Sequence, residues 1–307
     1  MNDKPKNLSA SIRQRLLNQL RVGQRQDFQR LLVRFAIERL LYRLSQSPLK
    51  DRFVLKGAML FAVWAETPFR STGDLDLLGT GTSDLEALRL AFAEICGQRV
   101  QDDGLVFDPE SIRVDAMREE EEYQGARIRL NANLGSAKIP LQVDIGFGDA
   151  VHPPPKMIEY GSMFSELPPA RIRAYPPETV IAEKFEAAVR FGDLSSRLKD
   201  HYDIWAVSRI FSFEMEVLVT SFKKTFRKRG IVIPASMPAA FTSDFAALPI
   251  RIAQWNAFLQ RTTPTLIPPS FAEVVGEIQK FLEPVLVSLG QKESSAQGRW
   301  NVDRGWH

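Results

Sequence analysis

The chain has 307 residues, 44% of them hydrophobic and 25% charged, and its 40 basic and 37 acidic side chains leave a net charge of +3. That balance belongs to a folded chain long enough for two domains, and it excludes a disordered, collagen-like or low-complexity protein. One cysteine, Cys96, excludes an internal disulfide, and three histidines beside it leave no basis for a structural zinc site.

The first residues are charged from Asp3 onward and contain no apolar stretch, so no secretory signal is expected. The longest wholly apolar run, 58–65, is too short to cross a bilayer, and a cytoplasmic protein without membrane contact is expected. The isoelectric point of about 9.0 permits contact with phosphates or nucleic acid without requiring it.

Residues 9–47 read as two helices, because Phe28, Leu31, Leu32 and Phe35, then Leu40, Leu41 and Leu44, recur at helical spacing between arginine-rich faces. Ser47-Pro48 ends that pattern. "RFVLKG" then reads as a strand closed by Gly57, "AMLFAVWAE" as a buried helix and "DLDLLG" as a second strand. "LEALRLAFAEICGQ" is an amphipathic helix with Gly97 past its end. "SIRVDAM", "ARIRLNANL" and "LQVDIGFG" follow as antiparallel strands, with the acidic run 119–122 as a solvated hairpin end.

The proline-rich passage 152–178 reads as a connector, and helices are expected over about 178–191, 196–210, 213–228, 243–260 and 270–288. The expected organisation is a helical segment over 1–50, an α/β core over 51–175, a helical domain over 176–290 and a flexible polar tail over 291–307.

Asp74 and Asp76 lie two apart in a strand, so they project from the same face while Leu75 and Leu77 pack on the other. Two such carboxylates repel unless a cation neutralises them, and Mg²⁺ takes oxygen ligands of this kind. The pattern D-x-D occurs in unrelated proteins, glycosyltransferases included, and solvated aspartates on an edge strand also satisfy it. A third carboxylate, Asp144, lies opposite Leu141, Val143 and Ile145 in a later strand, and three such groups on adjacent strands suit two-metal phosphoryl chemistry.

The second half carries basic partners. Val180, Lys184 and Ala188 recur every fourth residue, which sets Lys184 on or beside an apolar helix stripe, where it snorkels or meets an anion. In "SSRLKDHYDIW", Asp200 and Asp203 share a helix face, with Arg197 and Lys199 at its start. The basic clusters 13–26 and 223–229 offer contacts to a phosphate backbone, with Phe222 or Phe226 packing near it, or are simply solvated helix faces.

The ordered series "LKGAML…FRSTGDLDLLG", "VDIGFGD", "YPPETVIAEKFEA" and "SRLKDHYDIW" resembles the AbiEii/AbiGii nucleotidyltransferase-like toxins of bacterial toxin–antitoxin and abortive-infection systems. The resemblance implies an α+β fold, similar to the polymerase β-type nucleotidyltransferases, with a mixed sheet flanked by helices and a helical C-terminal domain. It also implies Mg²⁺, a nucleoside triphosphate substrate, an RNA acceptor such as the 3′ end of tRNA, and a cognate antitoxin. By position, Asp74 and Asp76 resemble the metal-binding pair and Asp144 a third sheet carboxylate. Lys184 resembles the essential lysine and Asp200 the aspartate of the next helix. Lys56, Gly57, Arg70, Thr72 and Arg190 fall on or near the nucleotide-binding positions, with Asp203, Arg197 and Lys199 as further candidates. Many members of the fold carry Ser after the glycine. This chain has Ala58 there, so backbone N–H groups would have to hold the phosphate.

Overall fold

The structure, a computed structural model, describes residues 7–22, 27–64, 73–119, 123–192, 197–291 and 297–307. The chain divides into two compact units, Met1–Gly148 with Met157–Ala174, and Asp149–Lys156 with Tyr175–His307.

The first unit is built on a mixed sheet. Its strands are β1 (Phe53–Lys56), β2 (Asp74–Gly79), β3 (Leu105–Glu119), β4 (Tyr123–Leu134), β5 (Ala137–Phe147), β6 (Lys156–Tyr160) and β7 (Ala170–Ala174), and their spatial order is β3-β4-β5-β2-β1-β7-β6. β3, β4 and β5 form an antiparallel meander, β5 pairs parallel with β2, β2 antiparallel with β1, and β1 parallel with β7. Alternation builds these strands: in β5, Ile139, Leu141, Val143 and Ile145 are buried between Pro140, Gln142 and Asp144, and in β2 Leu75 and Leu77 are buried between Asp74 and Asp76.

Helix α1 (Leu8–Val22) packs against α2 (Phe28–Gln46), which lies against β5 and β7 and is buried on nearly every side over 35–45. Arg39 and Arg43 are therefore core residues. Asp103, wholly buried, accepts from Arg39 Nε at 3.0 Å and from Arg43 Nη1 and Nη2 at 2.6 and 3.0 Å. Glu38 accepts from the Met163 N–H at 2.8 Å and from the Ser162 hydroxyl, and burial still lifts its carboxyl above the ordinary range. After a short 3-10 turn over Gly57–Leu60 comes α3 (Phe61–Trp64), and α4 (Leu85–Cys96) covers β3.

The second unit is helical. α5 (Pro177–Phe191) packs against α6 (Leu198–Ser208) and α7 (Met215–Arg229), and α10 (Phe271–Leu289) packs against α6 and α7. Phe185, Phe222, Phe226 and Phe241 meet at its centre, with ring centroids 5.3 to 6.3 Å apart.

Three expectations require correction. The passage 152–178 is more than a connector, because it carries β6 and β7, the latter an alternating strand with Ala170, Ile172 and Ala174 buried. The helix expected over 243–260 is two, α8 (Ser243–Ala247) and α9 (Pro249–Thr262), since Pro249 holds Leu248 extended. Within the tail expected over 291–307, residues 297–307 are folded: β8 (Phe213–Glu214), β9 (Arg299–Asn301) and β10 (Gly305–Trp306) make a small sheet. Trp300 Nε1 donates to the Ser208 carbonyl and Trp306 Nε1 to the Phe281 carbonyl, each at 2.8 Å, and two indoles docked this way outweigh the polar residues around them.

Candidate active site

Gly57 stands at the end of β1, where the chain turns from strand into 3-10 helix with φ +71°. That angle favours glycine. A second constraint acts at the same atom: a Cβ on Gly57 would lie 2.0 Å from Asp76 Oδ2 and 2.7 Å from its Cγ. The Asp76 carboxyl is thus seated against the bare backbone of Gly57, in the space any side chain would take.

The strand register places the neighbours of this carboxyl. Asp76 is opposite Lys56 on β1 and opposite Asp144 on β5, while Asp74 is opposite Gln142. Cross-strand partners share a face, so Lys56, Asp74, Asp76 and Asp144 occupy the polar side of the sheet, where Asp74 is exposed and the other three half-buried. On the next strand Arg127 is opposite Asp144 and donates from Nε and Nη2 to its two oxygens, each at 2.8 Å. Gln142 Nε2 adds a bond to Asp144 Oδ2 at 3.3 Å. The Asp144 carboxylate, through these bonds, holds the Arg127 guanidinium above its ordinary range, and the charges of Asp74 and Asp76 act in the same direction.

The structure therefore brings five of the sequence-predicted residues together in the first unit: Lys56, Gly57, Asp74, Asp76 and Asp144. Arg70 and Thr72 lie outside the described residues. Among the described residues, no group of three His, Cys, Asp or Glu side chains is arranged to hold a metal ion. Asp144 has the expected position, but both of its oxygens are engaged by Arg127.

In the second unit the arrangement centres on Lys184 of α5. Its ammonium lies 2.8 Å from Asp200 Oδ1 and 2.6 Å from Asp203 Oδ2, both on α6. The Asp203 side chain is 0% exposed and that of Asp200 9%, so this is a buried ion triad rather than a surface pair. The helix spacing explains it: Asp200 and Asp203 lie one turn apart on α6 and so meet the same face of α5.

The other candidates are dispersed. Arg190 pairs with buried Glu186 at 3.2 Å and lies over the Phe191 ring at 4.6 Å. Arg197, at the start of α6, lies over the same ring at 4.4 Å, and Lys199 is exposed. Phe222 and Phe226 are 0% and 1% exposed, which overturns their expected place beside a nucleic-acid backbone. They face inward because they are three and four residues from the other apolar positions of α7, on its packed side.

Sequence reasoning missed a second polar cluster of this unit. Asp149 accepts from Arg229 Nη2 and from the Tyr175 hydroxyl, each at 2.9 Å, and Glu183 lies 4.0 Å from the same Arg229. Lys224 Nζ lies 3.1 Å from His152 Nδ1, and burial, with that ammonium, lowers the imidazole pKa. The signal was present in part, since Asp149 closes the quoted motif "VDIGFGD".

Residues 39–277 match the family described as "Nucleotidyl transferase AbiEii toxin, Type IV TA system". No curated protein is similar enough in sequence to match. Two solved structures, both from Helicobacter pylori, are similar in shape. JHP933 is 12% identical with a TM-score of 0.47, over 85% of this chain and 93% of its own. A candidate nucleotidyltransferase is 12% identical with a TM-score of 0.48, over 86% of this chain and 97% of its own.

Proposed function

The chain belongs to the AbiEii nucleotidyl transferase toxin family, and from that premise we propose that it is a Mg²⁺-dependent nucleotidyltransferase, the toxin of a toxin–antitoxin system, that moves a nucleoside monophosphate from a triphosphate to an RNA acceptor. The tRNA 3′ end is the acceptor the family resemblance suggests. The observation that carries the reading is the seating of Asp76 on Gly57, with Asp74 beside it on the same face. A carboxylate sits there against bare backbone, next to a second one, on the polar side of a mixed sheet.

The donor set fits magnesium. Mg²⁺ is commonly held by one or two carboxylates, with waters and substrate phosphates as its remaining ligands, and does not need an all-protein cage. Asp74 and Asp76 would hold it, and when bound it supplies charge neutralisation at the triphosphate. The protein's own contribution is positional. Gly57 leaves the room that the Asp76 carboxyl occupies, and the N–H groups at the start of the turn over Gly57–Leu60 offer donors for phosphate oxygens. In the transfer, an acceptor hydroxyl oxygen bonds to the α-phosphorus, the bond to the bridging oxygen of pyrophosphate breaks, and the hydroxyl proton passes to solvent or a nearby base. Lys184 would neutralise phosphate charge, with Asp200 and Asp203 setting its position, and a cognate antitoxin would restrain the activity.

Incubation of the chain with Mg²⁺, each labelled nucleoside triphosphate in turn, and total RNA tests this. Label should enter RNA with the parent and fall by at least roughly 100-fold with Asp76→Ala. Equal labelling by Asp76→Ala overturns the assignment.

Ala58 favours a second reading, a nucleotide- or RNA-binding member that no longer transfers, because it is buried and brings no hydroxyl to the phosphate side of the turn. That reading predicts nucleotide binding with no label transferred to RNA, and a growth effect that Asp74→Ala leaves intact.

A further inference from the structure

Across the polar face of the sheet, the register sets five charged residues in one row: Asp115 of β3, Arg127 of β4, Asp144 of β5, Asp76 of β2 and Lys56 of β1. Opposite charges face each other at every step but one, where Asp144 meets Asp76. Like charges opposite one another on neighbouring strands are unfavourable. The row resolves this from the Asp144 side. Arg127 grips both oxygens of Asp144 in a planar, bidentate pair, and Gln142 adds a third donor. A carboxylate offers about four lone-pair sites, so these bonds leave little of Asp144 for anything else. The pair is sheltered, with side chains 33% and 17% exposed, which makes its exchange for water or a metal costlier than at the surface.

We infer that Arg127 is a positioning residue for this site: by holding Asp144 it stands in for one of two cations, and leaves a single divalent ion to Asp74 and Asp76. The inference rests on the proposal that Asp74 and Asp76 form the metal pair. It departs from the sequence expectation of three sheet carboxylates serving two-metal chemistry. A guanidinium suits this role because it stays charged at every accessible pH and matches carboxylate geometry. Two of its five N–H donors go to Asp144, and its charge is felt by Asp74 and Asp76 as well.

Titration of the full chain with Mn²⁺ alone, followed by the electron paramagnetic resonance signal of the free ion, tests it. The parent should bind one Mn²⁺ per chain. Asp144→Asn should leave that binding within about twofold, whereas Asp76→Asn should weaken it by roughly tenfold or more. Arg127→Met should release Asp144 and either add a second equivalent or tighten the first by roughly tenfold, and Arg127→Met/Asp144→Asn should return to the parent value. Melting curves confirm that each variant is folded, and Asp144→Asn, which is close to isosteric, decides the matter if Arg127→Met is not. Mn²⁺ binding that Asp144→Asn weakens as much as Asp76→Asn does, or that folded Arg127→Met leaves at the parent count and affinity, overturns the role of Arg127 alone. Mn²⁺ binding indifferent to Asp76→Asn overturns the metal pair and this inference with it.

Discussion

Gly57 and Asp76 occupy one another's space: the carboxyl of Asp76 lies where a Cβ on residue 57 would be, 2.0 Å from its Oδ2. Gly57→Ala therefore meets two penalties. The φ of +71° costs a non-glycine residue about 1 kcal/mol or more, and the methyl must displace a carboxyl fixed by its strand. We expect Gly57→Ala to lose at least roughly 2 kcal/mol of stability in urea unfolding and nearly all transfer activity. Gly57→Ala/Asp76→Gly should recover the crowding part of the stability loss and none of the activity. A strictly additive double variant would show that the two residues do not compete for that space.

The Lys184 triad gives a prediction about stability that is separate from chemistry. Removal of the ammonium by Lys184→Met leaves the wholly buried Asp203 carboxylate without its partner at 2.6 Å. Breaking a buried pair from one side costs about 3–5 kcal/mol. Asp203→Leu placed on Lys184→Met should return part of that loss, since the more deeply buried of the two carboxylates is then gone. Asp200→Asn should cost less than Asp203→Asn, because Asp200 retains some exposure at 9%. Denaturant melts of the variants measure the order, and the reverse order would mean that Asp200 is the structural partner.

These relationships were unequally legible in the sequence. Asp74, Asp76 and Asp144 could be placed on polar strand faces because Leu75, Leu77, Val143 and Ile145 alternate with them. Their lateral neighbours could not, because Arg127 meets Asp144 only in the exact register of the β4–β5 hairpin, and Asp76 meets Asp144 through a parallel pairing of strands distant in sequence. The same limit hid the pairing of Arg39 and Arg43 with Asp103, 64 and 60 residues away, so arginines that look like a solvated helix face are core. "ARIRA" alternates as a strand should, but between proline pairs it reads as a connector until β1 is seen beside it. Lys184 and its aspartates were the most legible group, since i, i+3 and i, i+4 spacing alone sets which side chains share a face.

The folded C-terminal segment carries its own prediction. Trp300, 9% exposed, donates to Ser208 and packs on Phe281 with ring centroids 4.9 Å apart. Trp300→Ala removes a large buried ring and leaves the Ser208 carbonyl without that donor, so a loss of about 3 kcal/mol is expected. A truncation ending at residue 291 should lose at least as much. Unchanged thermal melting in both variants would show that this segment contributes nothing to the second unit.

His201 supplies a pH dependence whose sign is fixed by burial. The imidazole is 4% exposed, ringed by Phe241, Phe245 and Phe271, with Nε2 at 2.8 Å from the Ala240 carbonyl. Burial lowers its pKa, while the Ala240 carbonyl and the charge of Asp200 pull the other way and Arg251 lowers it further. A base whose folded pKa lies below its unfolded value contributes stability that is complete above the unfolded pKa, about 6.5. That contribution is lost as the pH falls toward the folded value, because the unfolded chain takes up a proton that the folded chain refuses. Glu38 acts in the opposite sense, its carboxyl raised by burial, so that its contribution is present at low pH and is lost as the pH rises through the raised pKa. The parent's pH profile mixes the two, and the difference between parent and His201→Phe isolates the histidine. Unfolding free energies measured from pH 7.5 down to 5 should fall in the parent relative to His201→Phe, by up to about 1.4 kcal/mol per pH unit below 6.5. Parallel profiles would mean that the imidazole takes up its proton as readily inside the aromatic cage as in the unfolded chain.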